Sequence, residues 1–454
     1  MKIVIDGAGE IGSHLARMLR REANEVTVID SKNERINSLT SNVDVLGIVG
    51  GPSSVGTLRK AGVQNADLFI AVTPSGNQDI NVVSSLIAKQ LGAKKAIARV
   101  DDATLLQAEN KLMFKDMGID LMFYPEKIAA DEIMDQLEHN TSAETLEFAH
   151  GKLQISVFKL DEDSPLLDLT VGQFTKHVSQ AEDCLQFRVI CISRGGMTII
   201  PGADTHFQYN DILYILTKRE GLPVLMQHFG KREVKTRKAM IFGGSKIAEI
   251  TADTLSKQLD SIKLIDSNKE RCQYLTEALD DNVDVVFGDG RNTDFLAEEN
   301  IKDYDAFIAL TESDETNVLA CVIARKFGVE KTIAEVENLE YIRLAEEMGV
   351  DAVINKKLLS AGRIFKFTLS GKARFVKYMS GTQAEVVEYT VAPGSAITKD
   401  YIKDLDFPDN AIIGGIIRGN EALIAVGNLK IEPYDRVVVF SLPDSIKEAD
   451  QFFR

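Results

Sequence analysis

The feature that most constrains this 454-residue chain is an internal duplication. An apolar run that opens into a glycine turn occurs at Lys2–Gly12 and again at Lys238–Ala248. Further landmarks recur at the same spacing, which chance rarely produces. The recurring pairs are Gly7 with Gly243, Asp30 with Asp266, Asn81 with Asn317, and Arg99 with Glu335. We therefore expect two copies of one domain, an architecture that excludes most classes of enzyme.

Both copies alternate short, β-branched apolar runs with stretches of helical period. In the first copy the runs are Lys2–Ile5, Glu25–Ile29, Val45–Val49, Leu68–Val72 and Ala96–Val100. In the second they are Ala239–Phe242, Ile262–Ile265, Val283–Val286, Ala306–Leu310 and Thr332–Val336. This alternation is typical of βαβ units and a parallel sheet. Both copies are therefore predicted to be α/β, Rossmann-like, doubly wound domains.

A smaller segment follows each copy, and the two small segments also match each other. They show alternating strand patterns without a glycine fingerprint, and Arg194 and Asp211 recur at one spacing as Arg418 and Asp435. We predict a duplicated two-domain unit in which each small domain is α+β. The predicted boundaries are 1–140 and 230–372 for the nucleotide-binding domains, and 141–229 and 373–454 for the small domains.

Composition excludes several functions. A net charge of −16 argues against nucleic acid as a partner, because such affinity comes mainly from basic side chains that neutralise phosphates. The longest apolar runs have strand length, well short of the ~20 residues that span a bilayer. The apolar run at the N-terminus leads directly into the glycine turn and leaves no room for a signal peptide. The six histidines and four cysteines are dispersed, so no metal site is expected, and the protein is expected in the cytoplasm.

The first glycine turn has the pattern of a dinucleotide-binding loop. Gly7, Gly9 and Gly12 follow a predicted strand and open a predicted helix, where free backbone amides and the helix dipole attract phosphate. Asp30 ends the next strand at close to the ~20 residues expected for a carboxylate that binds the adenosine ribose. Asp30 would repel a 2′-phosphate, which favours NAD(H) or an adenine nucleotide over NADP(H). The alternative is that Asp30 only caps the following helix.

Two further side chains are predicted at the same edge of the sheet. Arg99 ends the fifth predicted strand, and ligands of parallel sheets bind at the carboxyl ends of the strands. Arg99 either pairs with a nucleotide phosphate or serves as an ion-pair partner within the protein. Thr73 ends the fourth strand, and its hydroxyl is expected to face the ligand.

The second copy departs from the pattern at several positions. Ser245 and Ala248 replace two glycines and Glu335 replaces the arginine, whereas Asp266 persists. The two sites are therefore expected to differ in affinity or ligand. The acidic loop Thr311–Glu315 suggests either a metal site or a solvated loop, and solvation is favoured because charge runs usually face water.

With these motifs in place, the whole chain resembles the TrkA family, the peripheral cytosolic subunits of bacterial Trk potassium-uptake systems, which are built from tandem RCK (KTN) domains. The motifs that carry the resemblance are Gly7–Gly12, Val28–Asp30, Ala71–Thr73, Ile97–Val100, Gly288–Gly290 and Leu310–Asn317.

The resemblance implies a regulator without catalytic residues. Such proteins form rings of Rossmann-like domains beneath a membrane-embedded, potassium-conducting subunit, and here a homotetramer would supply eight domains on the inner face of the plasma membrane. NAD(H), with ATP or ADP as alternatives, would bias the ring through different affinities for two conformations. The implied residues of the first site are Gly7, Ala8, Gly9, Glu10, Ile11, Asp30, Thr73, Pro74 and Arg99. Those of the second site are Gly243, Gly244, Ser245, Lys246, Ile247, Asp266 and Thr311.

Two other functions remain open from the sequence. An NAD-dependent oxidoreductase shares the glycine fingerprint, but it needs an acid, a base or a substrate anchor from a second domain. The small segments contain no Lys/Tyr or His/Asp constellation of this kind. A nucleotide-sensing regulator of a partner unrelated to potassium is also compatible, because nothing inside the chain names the partner.

Overall fold

Four β-sheets form the framework of the computed structural model. It describes all residues except 23, 139–144, 149–151, 161, 163, 182–186, 196, 230–235, 366, 368–372 and 379–383. Within the described residues, two sheets have six parallel strands and two have five antiparallel strands. This arrangement confirms two Rossmann-like domains, each followed by a small domain.

The first Rossmann-like sheet has the strand order β3-β2-β1-β4-β5-β6. Its strands are β1 (Lys2–Asp6), β2 (Glu25–Asp30), β3 (Leu46–Val49), β4 (Leu68–Ala71), β5 (Ala96–Arg99) and β6 (Leu121–Phe123). The helices between and after them are α1 (Glu10–Arg21), α2 (Asn33–Thr40), α3 (Val55–Lys60), α4 (Gln78–Leu91), α5 (Ala108–Asp116) and α6 (Pro125–Glu138). The strand order reverses between β1 and β4, and ligands of such sheets bind in the crevice at this point.

The local reasons for these elements are visible in the burial pattern. Ile3, Val4 and Ile5 of β1 are all buried, as expected for a strand with helices on both faces of its sheet. Ile11 and Leu15 lie on the buried face of α1, which begins directly after the glycine turn. The five predicted strands are confirmed with small shifts at their ends. The sixth strand was not predicted, because three residues are too few to show a period.

The second Rossmann-like sheet has the equivalent order, β14-β13-β12-β15-β16-β17. Its strands are β12 (Lys238–Phe242), β13 (Ser261–Asp266), β14 (Val283–Phe287), β15 (Ala306–Ala309), β16 (Lys331–Glu335) and β17 (Ala352–Ile354). Its helices are α9 (Lys246–Leu255), α10 (Lys269–Ala278), α11 (Thr293–Glu298), α12 (Asp314–Lys326), α13 (Leu339–Glu347) and α14 (Lys356–Phe365). The two copies therefore share one topology, as the duplication predicted.

The small domains are antiparallel sheets with short helices. The first contains β7 (Thr145–Phe148), β8 (Leu153–Lys159), β9 (Phe187–Arg194), β10 (Met197–Ile199) and β11 (Ile212–Lys218), with α7 (Val171–Ala181) and α8 (Leu222–His228). The second contains β18 (Ala373–Tyr378), β19 (Glu385–Thr390), β20 (Ala411–Arg418), β21 (Glu421–Ile424) and β22 (Arg436–Ser441), with α15 (Ile446–Gln451). Both sheets contribute side chains to one apolar core, in which Leu153 and Leu216 lie in the same cluster as Val386 and Val438.

The Arg and Asp landmarks that recur in the small domains form equivalent ion pairs. Arg194 Nη2 lies 2.8 Å from Asp211 Oδ2, and Arg418 Nη2 lies 2.9 Å from Asp435 Oδ2. Both aspartates are buried, and a buried carboxylate needs such a partner. The shared spacing therefore reflects one structural requirement met twice.

The chain divides into two compact units. One comprises Met1–Ala129 and Lys356–Thr368, and the other comprises Ala130–Asn355 and Leu369–Arg454. Helix α14 thus follows the second sheet in the sequence but belongs to the unit of the first sheet, where it packs against α1. Lys357 Nζ on α14 lies 3.4 Å from Glu10 Oε2 on α1. The domain boundaries at residues 140, 229 and 372 stay predictions.

Helices within the described residues are all too short or too polar to cross a bilayer.

Candidate nucleotide-binding site

The first glycine turn connects β1 to α1 at the point where the strand order reverses. Gly7 has φ +109°, a conformation that side chains disfavour, and a Cβ there would lie 2.9 Å from the backbone nitrogen of Thr73. A Cβ on Gly12 would lie 1.8 Å from the carbonyl oxygen of Gly7. Glycine at both positions lets α1 begin directly against β1 and β4.

The start of α1 has no side-chain cap. Gly9 is the N-cap residue and supplies no side-chain acceptor to the amides of the first turn. A Cβ on Gly9 would lie 3.4 Å from Pro74 Cγ, which places Pro74 over the turn. Amides at a helix start, together with the helix dipole, form a favourable site for a phosphate group.

Asp30 ties the glycine turn to the end of β2. Its carboxylate is 6% exposed, and Oδ2 accepts a hydrogen bond from the Ala8 amide at 2.8 Å. Oδ1 accepts from the Lys32 amide at 2.8 Å, and Arg35 Nη1 lies 3.5 Å from Oδ2. The N-cap residue of α2 is Lys32, and its side chain makes no cap, so the bond from its amide to Asp30 connects the end of β2 to the start of this helix. A carboxylate offers about four acceptor positions, so it retains acceptor capacity for ribose hydroxyls.

Thr73 is held by Asn81, a residue whose role the sequence reasoning missed. Asn81 Oδ1 accepts hydrogen bonds from the Thr73 amide at 2.9 Å and from the Thr73 hydroxyl at 2.6 Å. Asn81 Nδ2 donates to the carbonyl of Arg99 at 3.1 Å and to that of Thr73 at 3.2 Å. The Thr73 hydroxyl therefore helps to hold the end of β4 in place at this edge of the sheet. The recurrence of Asn81 as Asn317 was the available signal.

Arg99 is engaged within the protein. Its side chain is nearly buried, with Nη2 3.1 Å from Glu126 Oε1 and Nε 3.5 Å from Asp101 Oδ1. The ion-pair alternative is therefore the arrangement observed, while contact between Arg99 and a phosphate stays a prediction. Glu126 lies on α6, far from Arg99 in sequence, and nothing local indicated this partner.

A cavity of about 270 Å³ opens beside the glycine turn, between α1 and α2. Two arginines face it, together with hydroxyl and amide groups. Its lining residues are Ala8, Ser13, Arg17, Glu34, Arg35, Ser38, Leu39 and Asn42. Guanidinium groups beside a helix N-terminus suit an anionic ligand.

A buried carboxylic acid lies directly under the turn. Asp6 ends β1 with no exposed surface, and its oxygens lack a well-oriented hydrogen-bond partner among the described residues. Burial raises the pKa of Asp6 to about 7; the Ser84 hydroxyl offsets part of this rise, and the charge of Asp30 adds to it. Sequence reasoning missed Asp6, although an acid ending an apolar strand, where the second copy has Phe242, was a visible signal.

The second glycine turn keeps the same scaffold. Gly243 has φ +104°, and Asp266 accepts from the amides of Gly244 and, at 2.7 Å, of Asn268. Asn317 Oδ1 accepts from the Thr311 hydroxyl at 2.7 Å, which repeats the contact at the first site. The strand ends are therefore held in the same way in both copies.

The start of α9 differs from the start of α1. Ser245 is the N-cap residue, and its Oγ accepts from the Ala248 amide at 3.3 Å. Lys246 and Glu249 form an ion pair on the first turn of the helix, and Ile247 is buried. Glu335, at the position of Arg99, is also buried. The start of α9 therefore has a side-chain cap from Ser245 and an ion pair on its first turn, whereas the start of α1 has no side-chain cap.

No cluster of His, Cys, Asp or Glu side chains with metal-binding geometry occurs in the part of the chain that the structure describes. In the acidic loop, Asp314 accepts from the amides of Glu337 and Asn338, both at 2.8 Å. This carboxylate thus connects the loop to the end of the neighbouring strand.

Comparison with solved structures shows which known fold the chain shares. The chain superposes on the structure described as the GsuK RCK domain with a TM-score of 0.60 and 17% identity, covering 100% of this chain and 94% of that one. The structure described as the GsuK channel bound to NAD gives a TM-score of 0.60 and 17% identity, covering 100% of this chain and 78% of that one. At this level of identity the likeness shows the fold.

Comparison of sequences extends to the whole chain. The TrkA-N domain model matches residues 3–125 and 239–356, and the TrkA-C domain model matches residues 155–230 and 386–454. A relative from Archaeoglobus fulgidus, named Trk system potassium uptake protein TrkA homolog, is 35% identical over 461 residues, covering 100% of both chains. The chain therefore belongs to the TrkA family, whose members are regulatory proteins and not enzymes.

Proposed function

We propose that this chain is a cytoplasmic, nucleotide-sensing subunit that binds NAD(H) at the first glycine turn and gates a membrane-embedded potassium-uptake protein. The observation that carries the proposal is the start of α1, where uncapped amides lie beside the buried carboxylate of Asp30. The name of the archaeal relative, which refers to potassium uptake, supports the choice of partner.

The proposed pose follows from the polarity of the site. The diphosphate lies against the amides that follow Gly9, because the helix dipole favours negative charge there. The adenosine ribose donates hydroxyl hydrogens to Asp30, and Pro74 and Arg99 border the ligand at the neighbouring strand ends. ATP and ADP share the adenosine diphosphate moiety with NAD(H), so they are expected to compete for the site.

The second glycine turn is the weaker candidate. Gly243 to Ile247, Asp266 and Thr311 repeat the scaffold, but Ser245 uses a helix amide that a phosphate would need. We infer that nucleotide affinity at the second turn is lower than at the first.

Gating requires that the nucleotide bind two conformations of the assembly with different affinities. We propose a homotetramer, in which four chains supply eight Rossmann-like domains on the inner face of the membrane. The NAD-bound state of the GsuK channel shows that a related fold accompanies a channel and a dinucleotide in that protein.

Calorimetric titration with NADH, NAD, ATP and ADP tests the binding step. We expect Asp30→Ala to weaken binding at least tenfold, because the ribose loses its acceptor, and Asp266→Ala to have a smaller effect. Circular dichroism of both variants controls for folding. Equal effects of the two substitutions would contradict the difference between the sites.

Affinity purification from detergent-solubilised membranes of the source cells tests the partner. Recovery of a potassium-uptake membrane protein supports the proposed function. Recovery of a different membrane protein would instead identify a nucleotide sensor with another partner.

A further inference from the structure

Of three corresponding positions around the glycine turn, two change chemical character between the two copies and the third stays an arginine. Glu10, Ser13 and Arg35 of the first copy correspond, at the common spacing, to Lys246, Glu249 and Arg271 of the second. The first copy thus has a small hydroxyl on the first turns of its helix, where the second has a carboxylate.

In the second copy these residues form a connected network over the turn. Lys246 Nζ lies 2.6 Å from Glu249 Oε1, and Arg271 Nη2 lies 2.7 Å from Glu249 Oε2. Arg271 Nε also donates to the carbonyl oxygen of Gly244 at 2.6 Å, and its guanidinium lies 4.7 Å from the ring centre of Tyr274. Arg271 is therefore anchored on three sides and lies directly on the glycine turn.

Glu249 is held as an anion in the first turn of α9. Burial alone would raise its pKa, but the hydrogen bonds from Lys246 and Arg271 hold the pKa below its usual value. A negative charge in the first turn of a helix is also favourable to the dipole. The carboxylate thus receives the same interactions, from cations and from the helix start, that a bound phosphate would receive.

The first copy lacks this internal anion. The Ser13 hydroxyl donates to the Ala8 carbonyl oxygen at 3.1 Å and brings no charge to the turn. Arg35 lies 3.5 Å from Asp30 and lines the open cavity together with Arg17. A phosphate entering the first site thus meets Arg17 and Arg35, and no carboxylate occupies the position equivalent to Glu249.

We infer that Glu249 acts as a built-in substitute for the ligand phosphate and, with Arg271 and Lys246, closes the second glycine turn to NAD(H) and adenine nucleotides. Glu249 is thus a specificity-determining residue, and each chain takes up one nucleotide. This inference rests on the proposed function for the first site, but it concerns separate residues.

Calorimetric titration of the full chain with NADH tests the inference. We expect one NADH per wild-type chain and two per Glu249→Ser chain, because serine is the residue of the first copy. Adding Ser245→Gly, which removes the acceptor of the Ala248 amide, should further increase the affinity for the second NADH. Glu277→Ser is the matched control, since it removes an exposed carboxylate from α10 and likewise introduces the residue of the first copy, Ser41, and it should leave one NADH per chain.

Two background substitutions separate the outcomes. The event gained in Glu249→Ser should persist with Asp30→Ala and disappear with Asp266→Ala. No binding by the wild type but one event in Glu249→Ser would refute the proposed function while supporting this inference. Two events in the wild type, or no gain in the folded Glu249→Ser and Ser245→Gly/Glu249→Ser chains, would overturn it.

Discussion

The buried acid under the first glycine turn makes stability depend on pH in a defined direction. Asp6 in the folded chain keeps its proton up to about pH 7, whereas in the unfolded chain it ionises near its ordinary value of 3.8. Between these values the unfolded state binds fewer protons than the native state, so stability falls as pH rises. The contribution of the protonated acid is fully present below pH 3.8 and is lost as pH passes about 7.

Asp6→Asn removes this dependence. Asparagine has nearly the shape of the neutral acid but cannot ionise, so the variant avoids burying a charge at high pH. The gap between 3.8 and about 7 is close to three pKa units, and at about 1.4 kcal/mol per unit the variant should gain about 4 kcal/mol over the wild type above pH 7. At pH 4 the two proteins should differ by less than about 1 kcal/mol on the same scale.

Hydrogen exchange at the amides of Lys2–Asp6 measures the effect, because it reports the opening free energy of this strand. Urea denaturation gives an independent value of the unfolding free energy. It is followed by circular dichroism, because the chain contains no tryptophan to report unfolding by fluorescence. Asp211→Asn is the control: this buried carboxylate pairs with Arg194, so its loss should destabilise the protein at both pH values.

The pH dependence of the stability gain distinguishes ionisation of Asp6 from a change in packing. A gain from Asp6→Asn that is equal at pH 5 and pH 8 would arise from packing and would refute an ionisation effect. A variant less stable than the wild type at pH 8 would show that the Asp6 carboxylate is stabilised in the native protein.

Two further predictions concern the edge and the turn of the first sheet. Asn81→Ala leaves the Thr73 amide and the Arg99 carbonyl without partners, so it should cost about 2–4 kcal/mol in urea denaturation; an unchanged midpoint would show that water replaces the side chain. Gly12→Ala forces a methyl group against the Gly7 carbonyl, so calorimetry should show at least a tenfold loss of NADH affinity, while Gly56→Ala, where a Cβ meets nothing closer than 3.8 Å, should bind as the wild type does. Retained affinity in Gly12→Ala would mean that the turn relaxes without disturbing its amides.

Much of the fold could be predicted because it depends on local patterns. Strand and helix periods alternate within a few residues, and the glycine turns need backbone conformations that side chains disfavour, so both Rossmann-like domains were visible in the sequence. The duplication added independent evidence, because Asp30 recurs in the sequence as Asp266. In the structure both carboxylates accept a hydrogen bond from the equivalent amide of the glycine turn. Local periodicity and the duplication together indicated the order of the domains, and the glycine fingerprint predicted the position of the first site.

The remaining features depend on partners that are distant in sequence. Helix α14 joins the unit of the first sheet although it follows the second, and Arg99 pairs with Glu126 at the start of another helix. Whether Glu249 faces solvent or Arg271, and whether Asp6 is buried, follows from how helices pack over strand ends. The sequence by itself determined the duplicated Rossmann-like architecture and the glycine turns, since these follow from local backbone requirements. Only the tertiary structure decided which charges are neutralised and which helix start has a side-chain cap, because burial and side-chain contacts set those properties.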